Sequence, residues 1–155
     1  SFFAPYTQVL YKYVAQEKFS EAKNTVESTN KKLYILLLIV SVVAILAYPF
    51  VLELIIEKYF GTELLFFVLV VSAIFLSINN MYIYYMISNN LHFVLMKYQC
   101  FVLSLNLLLN GVFAFYHLDI LYYSYSTIIS LSIYFILVRR YFYMDIEKKL
   151  KVSVN

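Results

Sequence analysis

Charge is scarce in this chain: only 14% of its 155 residues are Asp, Glu, Lys or Arg, while 63% are hydrophobic. A soluble domain carries about 25% charged and 45–50% apolar residues, so a water-soluble globule is excluded and a membrane protein is expected. Cysteine occurs once, as Cys100, so neither a disulfide nor a cysteine-based metal site can form within the sequence. With two glycines in all there is no Gly-rich phosphate loop, and no H-E-x-x-H helix is present. The chain starts at Ser1 without Met and lacks the basic, apolar and small-residue pattern of a leader. The expectation is a piece of a longer protein.

What the chain has in quantity is long apolar runs. Leu33 to Leu52, Leu64 to Ile87, Tyr98 to Tyr116 and Ile120 to Val138 are free of charge. Each approaches the roughly 20 residues of helix that cross a bilayer core of about 30 Å. Backbone groups in lipid must be satisfied internally, so such spans are helices rather than open strands. Phe and Tyr supply 20% of the residues, but runs of this length exceed any strand. The expected architecture is all-α. Four transmembrane helices at about 33–56, 64–87, 93–116 and 119–138 form a polytopic bundle, itself a fragment of a larger one.

The basic residues predict orientation. Lys12, Lys18, Lys23, Lys31 and Lys32 precede the first span, Lys97 borders the second connection, and Arg139, Arg140, Lys148, Lys149 and Lys151 follow the last. Crossing alternately, eleven of the twelve Lys and Arg fall on one side and Lys58 on the other. That asymmetry marks the cytoplasmic face, so both ends of the chain are expected in the cytoplasm, with 139–155 as a basic tail. The net charge of +3 is then a topology signal, and no nucleic-acid partner is expected. In residues 1–32, Tyr6, Val9, Leu10, Tyr13, Phe19, Ala22 and Val26 keep helical spacing among charged residues. They read as the end of a preceding span and a cytoplasmic amphipathic helix, or as a soluble helix packed on loops.

Polar residues inside the spans are the candidates for function. Gln99, Asn106 and Asn110 share one stripe of the third span, Ser72 and Asn79 one face of the second, and Ser126 and Ser130 one face of the fourth, with Tyr123, Thr127 and Tyr134 beside them. Such stripes face the bundle interior or a wet cavity. Two readings stay open: interhelical glue at about 0.6 kcal/mol per bond, or the wall of a substrate cavity. Pro49 removes one backbone bond within the first span and is a hinge candidate. Glu53 and Glu57 either bind a cation at the outer mouth or are simply solvated. His92 and His117 fall on opposite sides, and His117 and Asp119 in "HLD", too near in sequence to face each other on a helix, suit a tight turn, so no enzyme, metal site or cofactor is expected.

Several features occur in a familiar order. "AYPFVLELIIEKYFGTEL" (47–64) puts a proline in a span ahead of the Phe60–Gly61 turn. The next span is followed by "LHFVLMKYQC" with Lys97, then "LNLLLNGVF" (105–113) with the Asn106–Asn110 pair, and "FFAPYTQVLYKYVAQEKFSEAKNTV" opens the chain. This arrangement, over roughly residues 1–142, resembles the C-terminal part of polysaccharide and O-antigen flippases in the multidrug/oligosaccharidyl-lipid/polysaccharide exporter superfamily. The resemblance implies a two-lobed bundle in the cell inner membrane, completed by an N-terminal part of the same transporter. It also implies movement of an oligosaccharide linked to a polyprenyl pyrophosphate lipid by alternating access. An ion-coupled multidrug exporter of the same superfamily and a non-transporting four-helix membrane scaffold are the alternatives.

Overall fold

The computed structural model describes residues 4–55 and 63–154, the side chains of 52–55, 153 and 154 excepted. The described residues form five helices and no strand: α1 (Ala4–Ala15), α2 (Phe19–Ile55), α3 (Glu63–Ser88), α4 (His92–Phe115) and α5 (Ile120–Val154). α2 to α5 are each long and apolar enough to cross a membrane, and the chain is a multi-pass membrane protein. The expected spans fall on these helices, except that 116 follows the end of α4 and 119 precedes α5; residue 56 lies outside the described residues. Glu57, Lys58, Phe60 and Gly61 lie outside the described residues, as does the side chain of Glu53.

One boundary differs from expectation. The amphipathic stretch before residue 33 and the first span are a single helix of 37 residues. At about 1.5 Å per residue this rod is roughly 55 Å long, well beyond the bilayer core. The Lys31–Lys32 pair marks where apolar side chains take over, yet both residues are good helix formers and nothing there stops the helix. α5, with 35 residues, overshoots in the same way past Arg139.

Three helices end by the same device. Glu17 (φ 57°), Asn90 (φ 58°) and His117 (φ 51°) adopt the left-handed conformation. The following amides, of Lys18, Leu91 and Leu118, donate to the carbonyls of Tyr13, Met86 and Phe113 at 2.9, 2.9 and 3.0 Å. Those of Glu17, Asn90 and His117 donate to Val14, Ile87 and Ala114 at 3.1 Å each. This is the Schellman closure, usually built on glycine. Here Glu, Asn and His take the position; Asn tolerates it, while Glu and His carry the steric cost.

α3 and α5 form the central pair; α4 lies along α5, α2 along α3, and α1 packs against both α2 and α3. α3 and α4 scarcely touch, and α2 and α4 make no contact among the described residues. The core gathers at the end that carries both termini. Leu10, Ala22, Val26, Met81, Tyr85, Met86, Val138, Phe142 and Ile146 are fully buried there. Tyr85 meets Phe142 edge to face at 4.8 Å. Polar ties reinforce this platform. The Tyr85 hydroxyl donates to Asp145 Oδ2 at 2.8 Å. Lys149 pairs with the same oxygen at 2.9 Å and also donates to Asn89 Oδ1. Tyr143 donates to Glu27 at 3.1 Å. In contrast, no residue from Tyr34 to Val51 of α2 is buried. A bare apolar rod of that kind is covered by lipid or by other helices.

Candidate functional site

The amide stripe of α4 meets the hydroxyl stripe of α5. Asn106 Nδ2 donates to Ser130 Oγ at 3.3 Å and to Ser126 Oγ at 3.4 Å. Its Oδ1 accepts from Asn110 Nδ2 at 3.0 Å. The single Ser126 proton has two acceptors, Asn110 Oδ1 and the Tyr123 carbonyl. The 3.6-residue repeat brings this about: positions 106 and 110 stand one turn apart on α4, and 126 and 130 one turn apart on α5. In hydrocarbon an unpaired amide is costly, and the facing serines remove that cost. At about 0.6 kcal/mol per interhelical bond the network contributes on the order of 2 kcal/mol to joining the helices.

Toward the terminal end the same seam opens into a cleft of about 270 Å³, lined by Gln99, Val102, Leu103, Asn106, Thr127, Ser130, Leu131 and Tyr134. Its polar groups are amides and hydroxyls only. Tyr134 is 6% exposed, and its hydroxyl makes no hydrogen bond of ordinary geometry although it faces Gln99. A buried hydroxyl in that condition calls for a polar guest or water. The cleft offers several donors and acceptors against apolar walls and no carboxylate or cation. Amides and hydroxyls of this kind can donate to and accept from neutral polar groups.

The stripes expected from the sequence therefore divide. Gln99, Asn106 and Ser130 line the cleft, while Asn110 and Ser126 are held in the network beside it. Ser72 and Asn79 are elsewhere, buried on α3. Ser72 Oγ donates to the Val68 carbonyl at 2.9 Å, and Asn79 Oδ1 is buried without a partner. Neither lines the cleft. Pro49 is exposed, and α2 continues through it to Ile55. Gly111, beside the amide pair, has nothing within 4 Å of where a Cβ would stand; no helix among the described residues packs closely there.

His92 opens α4 and His117 lies just past its other end, about 36 Å away along the axis. Among the described residues no group of three His, Cys, Asp or Glu could hold a metal. The Tyr85–Asp145–Lys149 tie was not foreseen. The Asp145–Lys149 spacing of four is a legible helical pair, but nothing in the sequence points it at Tyr85. Outside the spans, burial pushes the Tyr143 phenol up to about 12, with Tyr82 and the Glu27 acceptor adding to the effect. Its proton therefore stays in place to serve Glu27. Comparison of the chain with family models, curated proteins and solved structures finds no match.

Proposed function

We propose that the chain is part of a transporter that flips lipid-linked oligosaccharide across the cytoplasmic membrane by alternating access, with the α4–α5 cleft as part of the sugar path. The observation that carries this reading is the Tyr134 hydroxyl, buried beside Gln99 without a hydrogen bond of ordinary geometry, in a cleft whose other polar groups are Gln99, Asn106, Thr127 and Ser130. Amides and hydroxyls on apolar walls suit the hydroxyls and ring faces of a sugar. They suit an ion-coupled drug exporter less well, since the cleft has no acid to carry the coupling charge. The resemblance around Pro49, Lys97 and the Asn pair supports the same choice. In this reading both ends of the chain face the cytoplasm, in keeping with the excess of Lys and Arg on that side. A polyprenyl pyrophosphate carries the sugar, and the N-terminal part of the same transporter completes the lining. One lobe rocks against the other to change access.

The test is made in the full-length protein. Asn106→Leu with Asn110→Leu, and separately Gln99→Leu with Tyr134→Phe, should lower flipping of a fluorescent lipid-linked oligosaccharide in proteoliposomes without lowering membrane abundance. If the Gln99/Tyr134 pair flips at the wild-type rate while folded, the cleft is not the sugar path. If only the Asn106/Asn110 pair loses activity together with abundance, the amides serve as glue alone.

A further inference from the structure

A second hollow, of about 570 Å³, lies between α2, α3 and α5, away from the polar cleft. Its walls are Tyr34 and Leu38 of α2, Val71, Ile74, Phe75, Ile78 and Tyr82 of α3, and Phe135 and Arg139 of α5. Apart from the two tyrosine hydroxyls, its one polar group is the Arg139 guanidinium. Its Cζ lies 5.8 Å from the ring centre of Phe135 and 5.7 Å from that of Tyr143, within reach of cation–π attraction. Among the described residues Arg139 has no carboxylate partner. Lys31 stands one turn before Tyr34 on the same face of α2, so positive charge gathers at this end of the hollow.

We infer that the hollow holds one acyl chain of an anionic glycerophospholipid from the leaflet on the side of the termini, with the lipid phosphate bound by Arg139. Three features fix that occupant. From Tyr82 to Val71, α3 rises about 16 Å, the depth of one leaflet in a hydrocarbon core of about 30 Å. Farther along the same two helices, Tyr48 of α2 stacks flat on Phe66 of α3 at 3.9 Å between centroids and brings the helices into contact. A transmembrane helix from elsewhere in the bundle needs a groove running the full depth and is stopped by that stack. The cation sits at the near end, where Val138 and Arg139 pass from span to tail and where a phosphate lies. Guanidinium groups favour phosphate through paired, charge-assisted hydrogen bonds, and anionic lipid adds attraction for the neighbouring Lys31. The bound lipid fills the gap between α2 and α3 and fastens the otherwise bare first span to the bundle. The inference is independent of what the transporter moves.

The full-length protein, delipidated in mild detergent, is titrated with phosphatidylglycerol, phosphatidylcholine and inorganic phosphate and followed by native mass spectrometry and thermal shift. Phosphatidylglycerol should be retained and should stabilise the protein more than phosphatidylcholine does, and inorganic phosphate should not displace it. Arg139→Gln should weaken retention about tenfold, the loss expected for one charge-assisted phosphate contact. Arg140→Gln, next along the chain but not in the lining, should leave retention unchanged. Leu38→Trp, on the half-exposed wall, should fill the hollow and expel the chain. Equal losses for Arg139→Gln and Arg140→Gln would reduce the effect to general surface charge, and displacement by inorganic phosphate would make it a free anion site; either overturns the inference. On the unaltered protein, a phosphatidylglycerol with a photoactivatable acyl chain should label Leu38, Ile74 or Ile78. Labelling only at other positions also overturns it.

Discussion

Replacing Tyr85 by Phe takes one oxygen out of the best-buried part of the molecule and leaves the ring in place. The Tyr85 side chain is 0% exposed, and its edge-to-face contact with Phe142 at 4.8 Å survives in the variant. What is lost is the 2.8 Å hydrogen bond to Asp145 Oδ2. A bond to a charged acceptor is worth roughly 1.5–3 kcal/mol. The lower half of that range applies, because the Asp145 side chain is 15% exposed and keeps Lys149 at 2.9 Å, so the carboxylate is not stranded. The expected cost is about 1.5–2 kcal/mol. Lys149→Met should cost less, since the lysine is 28% exposed and water replaces much of a partly exposed pair. Tyr85→Leu should cost more, adding the ring contact, about 0.5–1.5 kcal/mol, and a cavity. Reversible denaturation of the full-length protein in mixed micelles gives the energies. Hydrogen exchange of the amides at 141–149 shows whether the loss is local to α5. A double-mutant cycle of Tyr85→Phe with Asp145→Asn should give a coupling of about 1 kcal/mol. A Tyr85→Phe protein within about 0.5 kcal/mol of wild type, or a coupling near zero, would refute the view that this tie fastens α5 to α3.

The left-handed residues that close α1 and α4 offer a gain of stability. Glu17→Gly and His117→Gly should each add about 0.5–1 kcal/mol, steric relief of about 1–2 less the greater chain entropy of glycine. Asn90→Gly should change little, because Asn tolerates this conformation; thermal unfolding distinguishes the three. The Tyr143 phenol is raised from 10.0 to about 12, so its contribution is present below pH 10 and is lost as pH rises through about 12. Stability measured against pH should fall in that window, and Tyr143→Phe should flatten the fall. Pro49→Ala restores the amide that reaches back to the Ile45 carbonyl. If Pro49 is a hinge of the proposed transporter, the variant's transport should fall while thermal stability holds or rises; unchanged transport removes the hinge from the proposal.

The spans were legible because charge is costly in hydrocarbon: the uncharged runs from Leu33, Leu64, Tyr98 and Ile120 each fall on one helix, although α2 starts well before its run and α5 ends well after. The join of the amphipathic stretch to the first span was not. A change of polarity at Lys31–Lys32 looks like a boundary, but a helix ends only where its backbone bonds are broken or capped, and no cap is there. Periodicity likewise told which residues share a face without telling what that face meets. It grouped Gln99 with Asn106 and Asn110, yet Ser126 and Ser130 as their partners depend on the rotation of α5, which no local spacing encodes. The same gap separates Ser72 and Asn79, equally regular in sequence, from the cleft. Tyr85 carried no signal at all, since its neighbours Met81, Tyr82 and Met86 are just as apolar and its partner lies 60 positions away.

The unbroken run of α2 has a mechanical outcome. From Ala22, locked in the platform near the chain ends, to Ile45, deep in the apolar stretch, the rod extends about 35 Å without proline or glycine. A sideways push on its far part is therefore not absorbed along the way. It arrives as torque on Ala22 and Val26, and through them on Met86 and the base of α3. The first span behaves as a lever whose fulcrum lies beyond the membrane, so events in the bilayer are felt at the polar surface by stiffness alone.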